Sequence, residues 1–398
     1  MTPTTAPATA PATAPATAPA TDRYDLADPA LDVVELTRRV CDTESVSGAE
    51  RALADAVEAA LRSFAGGALE VLRDGDAVVA RTALGRGERV LLAGHLDTVP
   101  LADPPNLPVR REQHPVDGDV LVGRGTCDMK GGVAVLLVLA RETAAAVAAG
   151  RGPQRDVTFV LYDNEEVEAA RNGLGRLARN APHLLAADFA VLLEPSSAVV
   201  EGGCNGTLRA EVTTTGRAAH SARAWRGSNA IHAAAPVLTR LAQHVPREVE
   251  VEGLVFREGL NAVGISGGIA GNVIPDRCVV TVNHRFAPAF SAAEAEAHVR
   301  EVLDGFDVRV TDVAEGARPG LHLPAAAEFV RRTGTEPLPK FGWTDVARFS
   351  ALGVPAVNYG PGDNATAHAD DERCRVEELE RCLDVLRGWL LGAGEGAA

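Results

Sequence analysis

Three short stretches of this chain are apolar almost without a break, and each stops at ionisable residues. Val90-Leu91-Leu92-Ala93-Gly94 runs into His95 and Asp97, DVTFVLY at 156–162 runs into Asp163-Asn164-Glu165-Glu166, and DFAVLL at 188–193 runs into Glu194. A strand with one wet face alternates apolar and polar residues, whereas a continuous run suits a strand covered on both faces, as in parallel sheets. Helical stretches separate these runs. DVVELTRRVCD and GAERALADAVEAALRSF are amphipathic, and GVAVLLVLARETAAAV follows the Gly-rich GRGTCDMKGG. Strands alternating with helices predict an α/β fold, a parallel or mixed sheet with helices on both faces.

The texture changes near Gly206. GTLRAEVTTTG and RCVVTVNHRF alternate like half-exposed strands, SNAIHAAAPVLTRLAQHV reads as a helix, and SAAEAEAHVREVL opens with a Ser291/Glu294 capping box. This pattern predicts a small α+β domain, one face of its sheet covered by two helices, over 206–315. The α/β pattern then resumes with PAAAEFVRRTG, VPAVNYGPGD and a helix from Val376, whose Leu379, Cys382, Leu383, Leu386 and Leu390 mark one apolar face. A chain of 398 residues exceeds one ordinary core, so the expected organisation is an α/β domain in two parts, 23–205 and 316–398, interrupted by the insertion. Residues 100–115 read as a Pro-rich loop, and 1–22 as a disordered Ala/Pro/Thr tail, since proline at 3, 7, 11, 15 and 19 forbids a helix. The tail lacks the basic and apolar regions of a secretory signal.

A net charge of −15 excludes nucleic acid and anionic membrane surfaces as partners. No apolar run long enough to span a bilayer is expected. The six cysteines are scattered, with no C-x-x-C, which argues against a disulfide framework or a thiolate zinc site and for reduced thiols in the cytoplasm.

Ligands of open α/β sheets bind beyond the carboxyl ends of the strands. There the chain concentrates His95, Asp97, Glu165, Glu166 and Glu194, with Asp128 in the Gly-rich turn and His368 in GPGDNATAHADDE. Taken singly, each has a plain structural explanation: a satisfied core histidine, a helix N-cap at Asp128, a solvated strand end. GRGTCD also fails as a nucleotide loop, because Asp128 occupies the position of the last glycine and would repel a pyrophosphate. Together, two histidines and several carboxylates without a cysteine suit zinc, with cobalt or manganese as alternatives. One aspartate bridging two ions about 3.5–4 Å apart, each completed by a His and a Glu, would make a hydrolytic centre. Adjacent side chains on an extended backbone diverge, so Glu165 and Glu166 predict a division of labour between metal ligand and general base.

On GHLDTVP, GRGTCDMKGG, DNEEVE and LLEPSS the chain resembles the dinuclear zinc aminoacylase/carboxypeptidase superfamily. GRAAHSARAWRGSNAIH, GGIAGNVIPD, VNHRFAP, GWTDVARFSALGVPAVNYGPGD and AHADDE point to its succinyl-diaminopimelate desuccinylase branch, actinobacterial type. The resemblance implies a zinc-exopeptidase-like mixed sheet and an inserted, ferredoxin-like lid that also forms a homodimer. It implies that Asp128 bridges two divalent metals, His95 and Glu194 completing one site, Glu166 and His368 the other. Glu165 would then be the general base, Asp97 the partner of His95, and His220 a donor to the oxyanion of a neighbouring subunit's substrate. Asn272, Arg285, Thr344 and Arg348 are the implied substrate contacts. Where other desuccinylases carry an arginine pair this chain has Cys204-Asn205, which implies either that another residue such as Arg223 takes part of the anchoring or that the acyl specificity differs.

The implied reaction is hydrolysis of N-succinyl-LL-2,6-diaminopimelate to succinate and LL-2,6-diaminopimelate, in lysine and cell-wall precursor synthesis. The alternatives are another N-acyl amino acid deacylase, resembling acetylornithine deacetylase, or a dipeptidase. A non-catalytic dimeric binding protein of this fold would have lost the base or a ligand, and here every position is filled.

Overall fold

Alternation inside the apolar runs sets the architecture. In a computed structural model, which describes residues 25–392, Val90 and Leu92 point into one hydrophobic cluster while Leu91 and Ala93 point into another. Val157, Phe159 and Leu161 likewise oppose Val160 and Tyr162, and Phe189 and Val191 oppose Ala190 and Leu192. Successive strand side chains face opposite ways, so a run with no polar position needs cover on both sides. The tail expected at 1–22 lies outside the described residues.

The strands Asp156–Tyr162, Arg89–His95, Phe189–Leu192 and Ala356–Asn358 lie side by side and parallel in the middle of an eight-stranded mixed sheet. Their carboxyl ends therefore open on one edge. The helix Lys130–Ala148 packs against this sheet with every residue from Val133 to Ala140 buried. By length and composition alone this helix could cross a bilayer, but it is mostly buried within the protein and forms the core helix. Gly131 and Gly132 open its first turn because a Cβ there would lie 2.7 Å from the Thr126 carbonyl oxygen or 2.5 Å from that of Leu193. That close approach brings the Asp128 turn against the strand leading to Glu194.

A second, four-stranded antiparallel sheet comprises Gly259–Gly267, Arg277–Phe286, Gly206–Thr215 and Asp307–Ala314, in that order. Its apolar face is covered by helices that contribute Ala230, Val237, Leu241, Ala295 and Val299. The Ser291/Glu294 capping box forms as expected. The single helix read at 228–245 is two, Ala230–Ala233 and Ala235–Gln243, with Pro236 in the first turn of the second. The loop read at 100–115 contains the strand Arg110–His114, one of three in a further small sheet. RREQH offers no apolar alternation, and only its pairing with Gly118–Val122 makes it a strand.

Three histidines crowd the core of the second sheet. The ring of His298 lies 5.3 Å from that of His284 and 5.4 Å from that of His244. His284 is fully buried and, among the described residues, neither ring nitrogen has a hydrogen-bond partner. Burial holds its pKa down to about 4; Glu258 pulls the other way, while His298, Arg247 and His244 add positive charge that favours the neutral ring. An unfolded histidine titrates near 6.5, so the folded state resists protonation. Stability is complete above that value and is lost as pH falls from about 6.5 towards 4, by on the order of 3 kcal/mol. Thermal melts between pH 7.5 and 4.5 should show His284→Phe losing part of the acid slope; an unchanged slope would contradict this.

Candidate metal centre

The ligand-bearing residues hang from the four parallel strands described above. His95 is the last residue of its strand and is paired with Tyr162. Glu165 and Glu166 follow Tyr162, Glu194 follows the Phe189–Leu192 strand, and His368 lies in the loop beyond Ala356–Asn358.

Asp128 stands where they meet. Its Oδ1 lies 3.1 Å from His95 Nε2, and its Oδ2 lies 3.3 Å from His368 Nε2. His368 Nε2 also reaches Glu166 Oε1 at 2.9 Å. The N-cap explanation of Asp128 fails: Met129 is the N-cap residue and receives no side-chain hydrogen bond there. Ligand atoms of His95, Asp128 and Glu166 all lie within 4.8 Å of one another.

The tautomer of His95 follows from its other nitrogen. Nδ1 donates to the Asp97 carbonyl oxygen at 3.0 Å, an acceptor only, which leaves Nε2 as the nitrogen turned to a metal. The Asp97 carboxylate is 3.5 Å from Nδ1 and does something the sequence did not suggest. Its Oδ1 accepts the Glu165 N–H at 2.9 Å and its Oδ2 the Glu166 N–H at 3.1 Å, with Ser47 Oγ donating to Oδ2 at 2.7 Å. Asn164, at φ 58°, turns the chain so that both amides face Asp97. Glu165 and Glu166 lie on a bend, not on the extended backbone assumed above.

The charges explain each other. Burial opposes the His95 imidazolium, yet hydrogen bonds to Asp128 and Asp97 raise its pKa well above the usual value. Asp128 and Glu166 push His368 up to about 10, while the two histidines hold Asp128 well below the carboxylate range against the effect of burial. Burial and then the Asp128 charge push Glu194 to about 8; burial and then Glu194 raise Glu165. Glu194 Oε1 is buried with no hydrogen-bond partner among the described residues. A buried carboxylate oxygen left unpaired, in a set of carboxylates and imidazoles with no thiolate, fits hard or borderline divalent cations.

A family model described as Peptidase family M20/M25/M40 matches residues 91–391. The chain belongs to this family. A Mycobacterium tuberculosis member named as a candidate succinyl-diaminopimelate desuccinylase, DapE, is 52% identical over 363 residues, 91% of this chain and 98% of that protein. Succinyl-diaminopimelate desuccinylase of Corynebacterium glutamicum is 44% identical over 365 residues, covering 90% and 96% of the two chains. The crystal structure of the Bacillus subtilis YXEP protein, described as a dinuclear metal binding peptidase of the M20 family, matches at a TM-score of 0.60 and 17% identity, covering 90% of this chain and 96% of that one. That likeness bears on the fold.

The other residues expected at the site of this M20 member lie as follows. His220 is exposed on a two-residue ribbon, paired with Val273, and its Nδ1 accepts the Ala222 N–H at 3.1 Å. Among the described residues no hydrogen bond or ion pair joins it to Asp128 or the other ligands. Asn272 and Arg223 are exposed in the same region. Arg285 is half-buried and has no acidic partner among the described residues, and burial, then Arg209, lowers its pKa. Thr344 is buried, its hydroxyl donating to Asn358 Oδ1 at 3.2 Å, and Arg348 is paired with Asp345 and lies over the Trp343 ring. The Cys204-Asn205 pair is buried, Asn205 Nδ2 donating to the Arg257 carbonyl at 2.9 Å while its Oδ1 has no hydrogen-bond partner among the described residues. Sequence reasoning missed Ser47, Arg124, Asp345 and Glu372, because nothing local distinguishes them from ordinary loop residues.

Proposed function

We propose that this chain is a metal-dependent amidohydrolase that cleaves N-succinyl-LL-2,6-diaminopimelate to succinate and LL-2,6-diaminopimelate in the cytoplasm. The observation that carries the chemistry is Asp128 turning one oxygen to each of two histidines, one at a strand end and one in a distant loop. The substrate reading is supported by the names of relatives 52% and 44% identical over nearly the whole chain. Six unpaired, buried cysteines suit a reducing compartment.

Two divalent cations, zinc by the donor set and cobalt or manganese as alternatives, would be held by His95, Asp128 and Glu194 and by Asp128, Glu166 and His368, supplying Lewis acidity that makes water a nucleophile near neutral pH. Glu165 takes the proton of the attacking water at its carboxylate. Water oxygen bonds to the amide carbon, the C–N bond breaks, and Glu165 delivers the proton to the departing nitrogen. Burial, and then Glu194, raise its pKa, which suits a proton acceptor. Asp97 keeps Glu165 and Glu166 in register through their amides. His220 donates to the oxyanion of the substrate.

Arg285 is the anchor for a substrate carboxylate: a half-buried guanidinium without an acid partner favours a planar anion. Asn272 and Arg223 join it from the ribbon region, while Thr344 and Arg348 are already engaged with Asn358 and Asp345. With zinc supplied, N-succinyl-LL-diaminopimelate should be hydrolysed in preference to N-acetylornithine. Arg285→Ala should lower kcat/KM for the succinyl substrate about 10- to 100-fold, mostly through KM, the range for losing a charged hydrogen bond. Preference for the acetyl compound in the unaltered protein would overturn the substrate and leave the chemistry standing.

Residues 206–315 serve in this reading as lid and dimerisation domain. The edge strand Gly259–Gly267 exposes Val263 at 60% and Ile265 at 55%, with Ile269 at 87% and Trp225 at 78%. An exposed apolar edge with unpaired backbone groups favours a second copy, and His220, unattached to its own chain's cluster, would then serve the partner. Sedimentation at micromolar protein should give a dimer, and Ile265→Asp a monomer of low activity. A fully active monomer would refute the assignment of both the interface and His220.

A further inference from the structure

Asp128 and His368 sit on irregular turns, yet both turns are tied to one buried ion pair. Glu372 is wholly buried. Its Oε1 accepts the backbone N–H groups of Cys127 and Asp128, each at 3.1 Å, and its Oε2 accepts from Arg124 Nη1 at 2.7 Å. Arg124, 4% exposed, also donates from Nη1 to the carbonyl of Ala369, next to His368, at 3.2 Å, and from Nε to the Pro100 carbonyl at 3.0 Å. The backbone closes the circuit: the Glu372 N–H donates to the Ala369 carbonyl at 3.2 Å, and its carbonyl accepts the Gly123 N–H at 2.9 Å. The Asp128 turn, the His368 loop and the loop after Asp97 thus meet on two side chains.

A buried ion pair adds little stability over apolar side chains of the same volume, and it is tolerated only when its hydrogen bonds are made. Here they are made, and nearly all are spent on backbone within one residue of Asp128 or His368 or on the loop following His95. That use is geometric. His368 itself lies at φ 64°, an uncommon backbone conformation for a residue other than glycine.

We propose that the Arg124–Glu372 pair sets the spacing between Asp128 and His368 and thereby the affinity of the site for divalent cations. Both are positioning residues, acting through the ligands without touching the reacting atoms. The proposal rests on the reading of Asp128 and His368 as ligands.

The test is zinc titration of the metal-free protein in competition with a chromophoric chelator, a readout independent of turnover. Glu372→Gln keeps the shape and one acceptor oxygen but removes the charge facing Arg124. Arg124→Lys keeps the charge and loses the fork. Each should raise the zinc midpoint about 10- to 100-fold, as for other groups that orient metal ligands, with a native circular dichroism spectrum. Leu241→Ala, in the core of the second sheet, serves as control: it should lower the melting temperature and leave the midpoint in place. Midpoints within about threefold of the unaltered protein in both variants would overturn the proposal, whatever their melting temperatures. So would loss of fold in both, which would make the pair a support of the fold at large; if one variant folds, it decides. Failure of the unaltered protein to bind zinc would instead remove the reading of the site itself.

Discussion

Glu165→Gln should lower kcat about 10³- to 10⁴-fold while leaving metal content and fold intact, the range for a general base held in place. The substitution preserves shape, and the Glu165 N–H that Asp97 holds belongs to the backbone, so the geometry of the turn is kept. Only the capacity to take a proton is lost. A second readout separates this from damage. Burial and the neighbouring Glu194 disfavour a charge on Glu165, so a neutral amide there should leave the melting temperature unchanged or raise it, the usual trade between stability and activity at such sites. Steady-state hydrolysis, metal analysis and a thermal melt on one preparation suffice. Hydrolysis undiminished in the variant would remove Glu165 from the mechanism.

Asp128→Ala should be as damaging for a different reason. Its two carboxylate oxygens face His95 and His368, so one truncation strips an oxygen from each half of the centre. The backbone there should persist, because Glu372 holds the amides of Cys127 and Asp128 independently of the side chain. We expect a folded protein that retains neither ion after dialysis and loses at least about 10⁴-fold in kcat/KM, since ligand loss removes both water activation and carbonyl polarisation. Glu194→Ala, touching only the half shared with His95, should retain about one equivalent under the same dialysis. Two equivalents retained by Asp128→Ala would show that it bridges nothing.

Much of this was legible before any coordinate. Continuous apolar runs can be satisfied only by cover on both faces, so the parallel strands and the placing of His95, Glu165, Glu166 and Glu194 at their ends follow from pattern alone. What escaped depends on partners far away in sequence. Arg110–His114 is a strand only because Gly118–Val122 pairs with it. Ala235–Gln243 separates from the preceding turn near Pro236, a residue equally at home in a first helical turn. Glu372 lies in HADDE, a run of acids that reads as solvated until Arg124, 248 residues earlier, is placed against it. Arg348 reads as a free cation until Asp345 takes it. The role of Asp97 as holder of two amides could not be inferred, because it needs the left-handed turn at Asn164.

The shortest route to a decision is crystallographic. Crystals of the zinc-loaded protein, measured at the zinc absorption edge, should give two anomalous peaks on either side of the Asp128 carboxylate, one contacting His95 and Glu194 and the other Glu166 and His368, with Glu165 ligating neither. Peaks away from Asp128, or a lone ion that leaves His368 and Glu166 paired with each other, would contradict the centre from which every functional statement above proceeds.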